Sequence, residues 1–268
     1  MRTSERVSFA GGTGFELAGI LDLPKDEVRT TALFSHCFTC NKDLKAIVKI
    51  SRGLAERGIA VLRYDMTGLG NSQGDFSLTS FTTNQQDLRA AANFLEQRLS
   101  APEFLIGHSF GAACSLSQTQ AIPSVLGTVS IAGPSGTHHL AELLGRMNSE
   151  IEVRGLGTVS IGGFEYVIRK QMLEDFRNHD LAATLKEIEK PVLLFHSPTD
   201  ETVRYEHALR LFENLSAANK AGRVSQVSLM NLPGADHLLT SNPADVEFVV
   251  ATIDAWFSRQ VLARESVV

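Results

Sequence analysis

The stretch Phe104-Leu105-Ile106-Gly107-His108-Ser109-Phe110-Gly111 decides how the rest of the chain is interpreted. Its three leading apolar residues predict a buried strand, and a helix-like pattern follows Gly111. Gly107 and Gly111 flank Ser109 in a Gly-x-Ser-x-Gly pentapeptide. A sharp strand-to-helix turn of this kind holds a serine at its tip, and glycine leaves the room that the turn needs. The pentapeptide alone is a weak signal, but the strand before it predicts Ser109 as a nucleophile above the edge of a sheet.

The composition limits the possible classes of protein. The 268 residues are 43% hydrophobic with a formal net charge of -5, and we predict a single domain with one sizeable core over residues 1–268. Lysine and arginine are scattered rather than gathered into a basic face, which excludes nucleic-acid binding. Residues 1–6 are not followed by the apolar run of a secretory signal, and no apolar stretch is long enough to span a bilayer. We therefore expect a cytoplasmic protein that does not insert into a membrane.

Short apolar runs alternate with helical patterns along most of the chain. The first runs are Ala32-Leu33-Phe34, Ile59-Ala60-Val61-Leu62 and Phe104-Leu105-Ile106, with helical patterns at Leu44–Arg57 and Phe81–Leu99 between them. These runs lack polar alternation, as strands buried on both faces of a parallel sheet do. We predict an α/β fold, with a mostly parallel central sheet and helices on both faces.

Three other parts of the chain complete this pattern. Residues 6–10 and 15–23 surround a glycine-rich turn and predict a hairpin. The regular alternation is lost from about 135 to 189, which predicts a small helical cap insertion that includes a helix at Tyr166–Phe176. After the cap, the predicted elements are a strand at 192–195, a helix at 205–215, a strand at 224–229 and a final helix at 244–257.

A serine nucleophile needs a general base, and a carboxylate must orient that base. On folds with this turn, the order along the chain is nucleophile, acid, base. Among the eight histidines, His237 follows the last predicted strand in a loop that can reach Ser109. The acid should follow a neighbouring strand, and Asp200 comes soon after the run at 192–195, with Glu201 as a weaker alternative. We predict Ser109, Asp200 and His237 as the catalytic residues.

Hydrolysis of an acyl group also needs two preorganised N–H donors for the developing oxyanion. One donor should be the amide of Phe110, which directly follows the nucleophile. The second normally comes from the loop after an early strand, which here is Ser35-His36-Cys37-Phe38-Thr39. We predict the amide of Phe38 as that donor.

The cysteines leave one alternative open. Three cysteines, an odd count, fit a reducing compartment and argue against a disulfide framework. Cys37 and Cys40 form a Cys-x-x-Cys, which we interpret mainly as two small half-buried residues in a loop. The alternative is a redox module in which these two thiols are the active pair.

A further alternative is nucleotide binding. The segment Gly68-Leu69-Gly70-Asn71-Ser72-Gln73-Gly74 follows a strand and loosely imitates a dinucleotide-binding loop. In such a loop a helix begins at once, and an acidic residue ends the next strand about twenty positions later. Neither feature is convincing here. The triad of Ser109, Asp200 and His237 needs no organic cofactor and no metal, and we expect none.

Taken together, these residues resemble α/β-hydrolases of the serine esterase and peptidase-like type. More narrowly, nearly the whole chain resembles the hydrolase part of bifunctional bacterial proteins in which a hydrolase is fused to an OsmC-like, thiol-dependent peroxide-reducing domain. The segments that carry this resemblance are 36–43 (HCFTCNKD), 65–72 (DMTGLGNS), 106–109 (IGHS), 196–203 (HSPTDETV) and 234–239 (GADHLL).

The resemblance implies an α/β-hydrolase fold, the triad Ser109, Asp200 and His237, and an oxyanion donor at Phe38. It implies hydrolysis of carboxylic esters with short to medium acyl groups, with thioesterase or peptidase-like chemistry as the alternative on the same triad. It also implies an OsmC-like domain or protein as a possible partner. One departure is Cys37, since esterases of the cinnamoyl kind usually have glycine after the first histidine of the oxyanion loop.

Overall fold

The structure is a computed structural model that describes residues 2–217 and 226–265. Eight strands form one sheet in the order β1-β2-β4-β3-β5-β6-β9-β10, and β7 pairs with β8 separately. The strands are β1 Thr3–Ala10, β2 Glu16–Leu23, β3 Thr30–Ser35, β4 Ile59–Tyr64, β5 Phe104–His108, β6 Gly127–Ile131, β7 Leu156–Ile161, β8 Phe164–Arg169, β9 Val192–His196 and β10 Val227–Asn231. The helices are α1 Lys45–Ala55, α2 Phe81–Arg98, α3 Phe110–Gln118, α4 His138–Met147, α5 Glu150–Arg154, α6 Lys170–Asn178, α7 Leu181–Lys186, α8 Glu206–Ala217 and α9 Pro243–Glu265.

The central sheet confirms the predicted fold class. In this sheet β4, β3, β5, β6, β9 and β10 pair in parallel with one another. The pairs β1–β2 and β2–β4 are antiparallel, and β1–β2 is the predicted hairpin. Every residue of β3, β4, β5, β6 and β9 is buried, because helices cover both faces. One core lies under α1 and α9, with Ile47 and Val249 fully buried, and the other lies under α2 and α3, with Leu88 and Leu116 fully buried.

The ends of the helices show which local signals were informative. Helix α1 lies inside the predicted range 44–57, and Gly58 three residues later has the left-handed φ of 85° expected of a glycine that terminates a helix. Helix α9 is longer than predicted and begins at Pro243. Strand β10 begins at Val227, and the first two residues of the predicted strand lie outside the described residues.

The cap segment 135–189 differs from the prediction, because it contains a β-hairpin as well as helices. The predicted helix Tyr166–Phe176 is wrong in its first half, since Tyr166 lies in β8 and α6 begins at Lys170. Exposed Val167 and buried Ile168 alternate as in a strand, not as in a helix. Gly162 and Gly163, with φ of 60° and 83°, form the turn. Two adjacent glycines between β-branched runs are a hairpin signal that the helical interpretation passed over.

Within residues 2–217 and 226–265, none of the helices is both long enough and apolar enough to cross a bilayer.

Candidate active site

Ser109 lies on the sharp turn that joins β5 to α3. Its backbone has φ 53° and ψ -121°, a conformation that a non-glycine residue adopts at a cost of about 1–3 kcal/mol. The Ser109 amide donates to the carbonyl oxygen of Ile131 on β6 at 2.8 Å, which holds the turn against the sheet. The surrounding structure therefore maintains the strained turn and presents the serine at the carboxyl edge of the sheet.

The two glycines of the pentapeptide are required by close packing. A Cβ atom on Gly107 would lie 2.3 Å from the carbonyl oxygen of Gly111. A Cβ atom on Gly111 would lie 2.3 Å from the carbonyl oxygen of Ser35 and 2.4 Å from that of His36. The start of α3 is thus pressed against the loop that follows β3, which brings the two predicted oxyanion segments together.

Asp200 lies in the loop after β9, where three hydrogen bonds hold its carboxylate. Oδ1 accepts the amides of Thr202 at 2.8 Å and Val203 at 2.9 Å, and Oδ2 accepts from His237 Nδ1 at 2.8 Å. Burial opposes ionisation of this carboxyl, but the bond from His237 and the two amides outweigh it and lower its pKa below the ordinary value. Asp200 is therefore ionised at neutral pH and faces the imidazole.

His237 lies in the loop between β10 and α9. Asp236 stabilises that loop, because its Oδ1 accepts the amides of Thr240 and Ser241, each at 2.8 Å. A carboxylate can only accept, so Nδ1 of His237 carries the hydrogen that Asp200 binds. In the neutral imidazole Nε2 is then without a hydrogen and can accept a proton.

His108, which precedes the nucleophile, makes a contact that the sequence did not predict. Its Nε2–H donates to the carbonyl oxygen of His237 at 2.8 Å, and the two rings lie 5.2 Å apart. Burial, with the nearby His237, lowers the pKa of His108 to about 4. An uncharged His108 thus ties the loop of His237 to the turn of Ser109.

The structure brings the segments of Ser109, Asp200 and His237 to the same edge of the sheet. Asp200 and His237 are in direct contact. The carbonyl oxygen of His237 is hydrogen-bonded to the side chain of His108, the residue directly before Ser109. Among the described residues, no hydrogen bond joins the Ser109 hydroxyl to the imidazole of His237. Such bonds are often long in enzymes without substrate and tighten when substrate binds.

The loop after β3 is a turn closed between Cys37 and Cys40. The Cys40 amide donates to the carbonyl oxygen of Cys37 at 3.2 Å, and His36 Nδ1–H donates to the same oxygen at 2.8 Å. His36 Nε2 in turn accepts the amide of Met66 at 3.1 Å, so this buried histidine links the loop to the end of β4. Within the described residues, the amide of Phe38 has no hydrogen-bond acceptor, which leaves it available to a ligand.

Cys37 and Cys40 form a disulfide, with their Cα atoms 5.3 Å apart. The sequence argument against a disulfide was therefore wrong for this pair. An odd count shows only that one thiol is left over, and that thiol is the buried Cys114. The turn supplies the reason for pairing, since it brings two positions three residues apart within the Cα separation that a disulfide needs.

Aromatic side chains join this loop to the cap segment. The ring of Phe38 packs against Phe110 at 5.5 Å and Phe176 at 6.0 Å between ring centroids. On β8, the hydroxyl of Tyr166 donates to the carbonyl oxygen of Thr39 at 3.1 Å. The cap thus contacts the loop through both its apolar and its polar groups.

The glycine-rich segment after β4 encloses a side chain of the chain itself. The Asn71 amide donates to Asp65 Oδ2 at 2.8 Å, and a Cβ atom on Gly70 would lie 2.2 Å from the same oxygen. Only a single 3-10 turn, Phe76–Leu78, directly follows the glycines, and the next α-helix, α2, begins at Phe81. This geometry favours a structural role for the segment over phosphate binding. The described residues also contain no group of three or more His, Cys, Asp or Glu side chains that could hold a metal ion.

Comparisons with known proteins relate this chain to hydrolases. Residues 32–155 match the family described as serine aminopeptidase, S33, and residues 162–263 match the prolyl oligopeptidase family. The solved esterase domain of a Rhodothermus marinus protein is 36% identical, with a TM-score of 0.74 over 96% of this chain and 98% of that one. Est1E from Butyrivibrio proteoclasticus with bound ferulic acid is 20% identical, with a TM-score of 0.80 over 96% of this chain and 100% of that one. The mitochondrial palmitoyl-protein thioesterase ABHD10 of Rattus norvegicus is 24% identical over 229 residues, which are 83% of this chain and 73% of that protein.

The sheet order, the turn at Ser109 and the likeness to the Rhodothermus marinus domain over nearly its full length define the class. The chain belongs to the α/β-hydrolase superfamily, and its relatives include esterases and a thioesterase. The narrower resemblance to hydrolases fused with an OsmC-like domain stays a prediction.

Proposed function

We propose that the protein hydrolyses carboxylic esters of short to medium acyl chain length through an acyl-enzyme intermediate on Ser109. The observation that carries the proposal is the hydrogen bond between Asp200 and His237, next to a serine held in a strained turn. An ionised carboxylate that fixes the tautomer of an imidazole beside a serine suits base-assisted nucleophilic attack.

The proposed reaction begins when Ser109 Oγ attacks the ester carbonyl and His237 Nε2 takes the hydroxyl proton. The amides of Phe38 and Phe110 stabilise the negative charge that develops on the carbonyl oxygen. His237 then returns the proton to the leaving alcohol, and an acyl group remains on Ser109. A water molecule, deprotonated by the same imidazole, releases the acid and restores the serine.

Thioester hydrolysis is a second candidate on the same residues. The observation that favours it is the likeness to ABHD10, which is named as a palmitoyl-protein thioesterase. Both reactions pass through the same acyl-enzyme, so they differ in the leaving group and in the length of acyl chain that the site accepts.

The test is a panel of p-nitrophenyl esters and matched acyl thioesters of graded chain length, assayed with the purified wild type and with Ser109→Ala. We expect the highest kcat/KM on short to medium esters. Because Ser109 forms the covalent bond, its removal should lower kcat by about 10³-fold or more. The activity that remains should come from substrate binding and the oxyanion donors. Unchanged hydrolysis by Ser109→Ala would falsify the assignment of the nucleophile.

Ser115 provides a matched control in α3, the helix that directly follows Ser109. It is also a buried serine, but its hydroxyl donates to the carbonyl oxygen of Ile106 in the core. Ser115→Ala should keep the wild-type kcat. A preference for thioesters over esters at every chain length would replace the ester proposal with the second candidate.

A further inference from the structure

The two sulfur atoms of the disulfide lie in different surroundings. Cys37 is 3% exposed and directly follows the buried His36. Cys40 is half-buried and borders a surface groove of about 540 Å³. The other lining residues of this groove are Asn41, Asp43, Leu44, Lys45 and Thr240. A thiol in solution can therefore reach Cys40 far more readily than Cys37.

The disulfide also closes the segment that is proposed to bind the oxyanion. Only Phe38 and Thr39 lie between the two cysteines, so the bridge limits the positions that the Phe38 amide can take. Thr39 has φ of 57°, a left-handed conformation that a β-branched residue rarely adopts. Opening the bridge allows Thr39 to relax toward an ordinary backbone conformation. The Cys37–Phe38 peptide, which carries the Phe38 N–H and lies inside the same closed ring, is then free to rotate.

We propose that the Cys37–Cys40 bridge is a redox-active site that exchanges with a dithiol and thereby controls how well the Phe38 amide is placed. The effect on rate rests on the hydrolase function proposed above, whereas the exchange itself does not.

The exchange proceeds in two steps that balance. A thiolate of the dithiol attacks Sγ of Cys40, the bond between the two cysteine sulfurs breaks, and Cys37 leaves as a thiolate that takes up a proton. The second thiol of the reductant then attacks the mixed disulfide, and Cys40 leaves as a thiol. The protein gains two electrons and two protons, and the dithiol becomes a disulfide.

Three contacts limit how far the loop can move after reduction. His36 Nδ1–H binds the carbonyl oxygen of Cys37, Tyr166 binds that of Thr39, and the Phe38 ring packs on Phe110. None of these contacts involves the sulfur atoms, so we expect them to persist when the bridge opens. The donor is therefore displaced rather than lost. Since loss of one oxyanion donor lowers kcat by about 10²–10³-fold, we expect reduction to lower it by roughly 10-fold.

The first experiment measures kcat on a p-nitrophenyl ester for the oxidised and the dithiothreitol-reduced wild type. Alkylation under denaturing conditions counts the thiols, and we expect one in the oxidised protein, from Cys114, and three in the reduced protein. A double variant, Cys37→Ala with Cys40→Ala, should show the slow rate under both conditions. Cys114→Ala, which alters only the buried free thiol, should respond as the wild type does.

The second experiment tests the direction of attack without using hydrolysis. Cys37→Ala leaves the thiol that borders the groove, and Cys40→Ala leaves the buried one. We expect a small aromatic disulfide to react with Cys37→Ala at least 10-fold faster than with Cys40→Ala, because only Cys40 is accessible. Equal rates would overturn the assignment of Cys40 as the attacked sulfur.

The outcomes of these experiments are distinguishable. Equal kcat in the two redox states, with the thiol count showing one and three, overturns control of the rate by the bridge. A count of three thiols after treatment of the protein with an oxidant means that Cys37 and Cys40 do not form the bridge, and this overturns the redox site itself. Absence of Ser109-dependent hydrolysis in both states overturns the proposed function, and the reactivity of the two single variants then still decides whether the bridge exchanges at Cys40.

Discussion

Two buried carboxylates, Asp65 after β4 and Asp200 after β9, accept the same kinds of hydrogen bond but have different side-chain partners. Each accepts two backbone amides and one side-chain N–H. The side-chain partner of Asp65 is the ammonium of Lys42 at 2.9 Å, and that of Asp200 is the imidazole of His237 at 2.8 Å. Two backbone amides bind each carboxylate, so the difference between the two sites comes from the side-chain partner, Lys42 or His237.

The two partners differ in what their protons can do. Burial disfavours the charge on Lys42, but its bonds to Asp65 and Asp43 outweigh this and raise its pKa, so it stays protonated and links the loop after β3 to the sheet. His237 gives one hydrogen to Asp200, and its second nitrogen, which has no hydrogen-bond partner among the described residues, can exchange a proton. A carboxylate paired with a permanent cation suits a structural role, whereas one paired with an imidazole suits the catalytic role proposed above for Asp200 and His237.

Replacing each carboxylate by its amide should produce the largest effects and separate these roles. Asp200→Asn no longer fixes the tautomer of His237, and we expect kcat to fall by about 10⁴-fold. Asp65→Asn leaves the buried ammonium of Lys42 without its main counter-charge, and we expect the free energy of unfolding to fall by about 3 kcal/mol. Ester hydrolysis and urea denaturation of both variants measure the two quantities.

Each variant serves as the control for the other. The folded fraction of Asp65→Asn should keep a kcat within a few fold of the wild type, and Asp200→Asn should lose only about 1 kcal/mol of unfolding free energy. A large loss of kcat in folded Asp65→Asn, or wild-type activity in Asp200→Asn, would remove the distinction between the two sites.

His108 tests how much the position of the imidazole depends on its support. His108→Ala removes the donor to the carbonyl oxygen of His237, and a bond of this kind contributes about 1 kcal/mol, so we expect kcat to fall by roughly 5-fold with little change in KM. His108→Gln places an N–H donor near the position of the imidazole Nε2 and should recover most of the rate.

The pair of variants at position 108 separates positioning from proton transfer. Because the pKa of His108 is about 4, its substitution should leave the pH profile of kcat near neutrality unchanged in shape. A shift of that profile in His108→Gln would instead assign His108 a part in proton transfer.

The smallest expected effects are in the pH dependence of stability, which should have opposite signs at the two sites. The pKa of Asp200 is lowered by folding, so its contribution is full above the unfolded value of about 4 and is lost as the pH falls below it. The pKa of Lys42 is raised, so its contribution is full below about 10.4 and is lost as the pH rises through the folded value. Urea denaturation across the pH range measures how the free energy of unfolding falls at acid pH (the acid limb) and at alkaline pH (the alkaline limb).

Single substitutions identify the group behind each limb. Asp200→Asn should flatten the acid limb and leave the alkaline limb as it is. Lys42→Met should flatten the alkaline limb, and it should also change the acid limb because Lys42 lowers the pKa of Asp43. The same acid slope in Asp200→Asn and in the wild type would show that other carboxyls, not Asp200, control stability there.

Local patterns in the sequence predicted the parts of the fold whose signals are short-range. Fully apolar runs predicted the buried strands, and a strand followed by Gly-x-Ser-x-Gly predicted the turn at Ser109. The hairpin β7–β8 was missed, because Tyr166-Val167-Ile168 fits a helix as well as a strand when its pairing partner is unknown. The predicted contact of Asp200 with His237 is present in the structure, although the catalytic roles of these residues stay a prediction.

The sequence by itself determined the α/β class, the position of the turn and the candidate residues, because periodicity, glycine spacing and order along the chain are local properties. Only the tertiary structure decided that Cys37 pairs with Cys40, that His108 supports His237 and that Tyr166 reaches Thr39. The last two contacts join residues 129 and 127 positions apart. Such contacts depend on how strands and loops are placed side by side, and no local pattern encodes that placement.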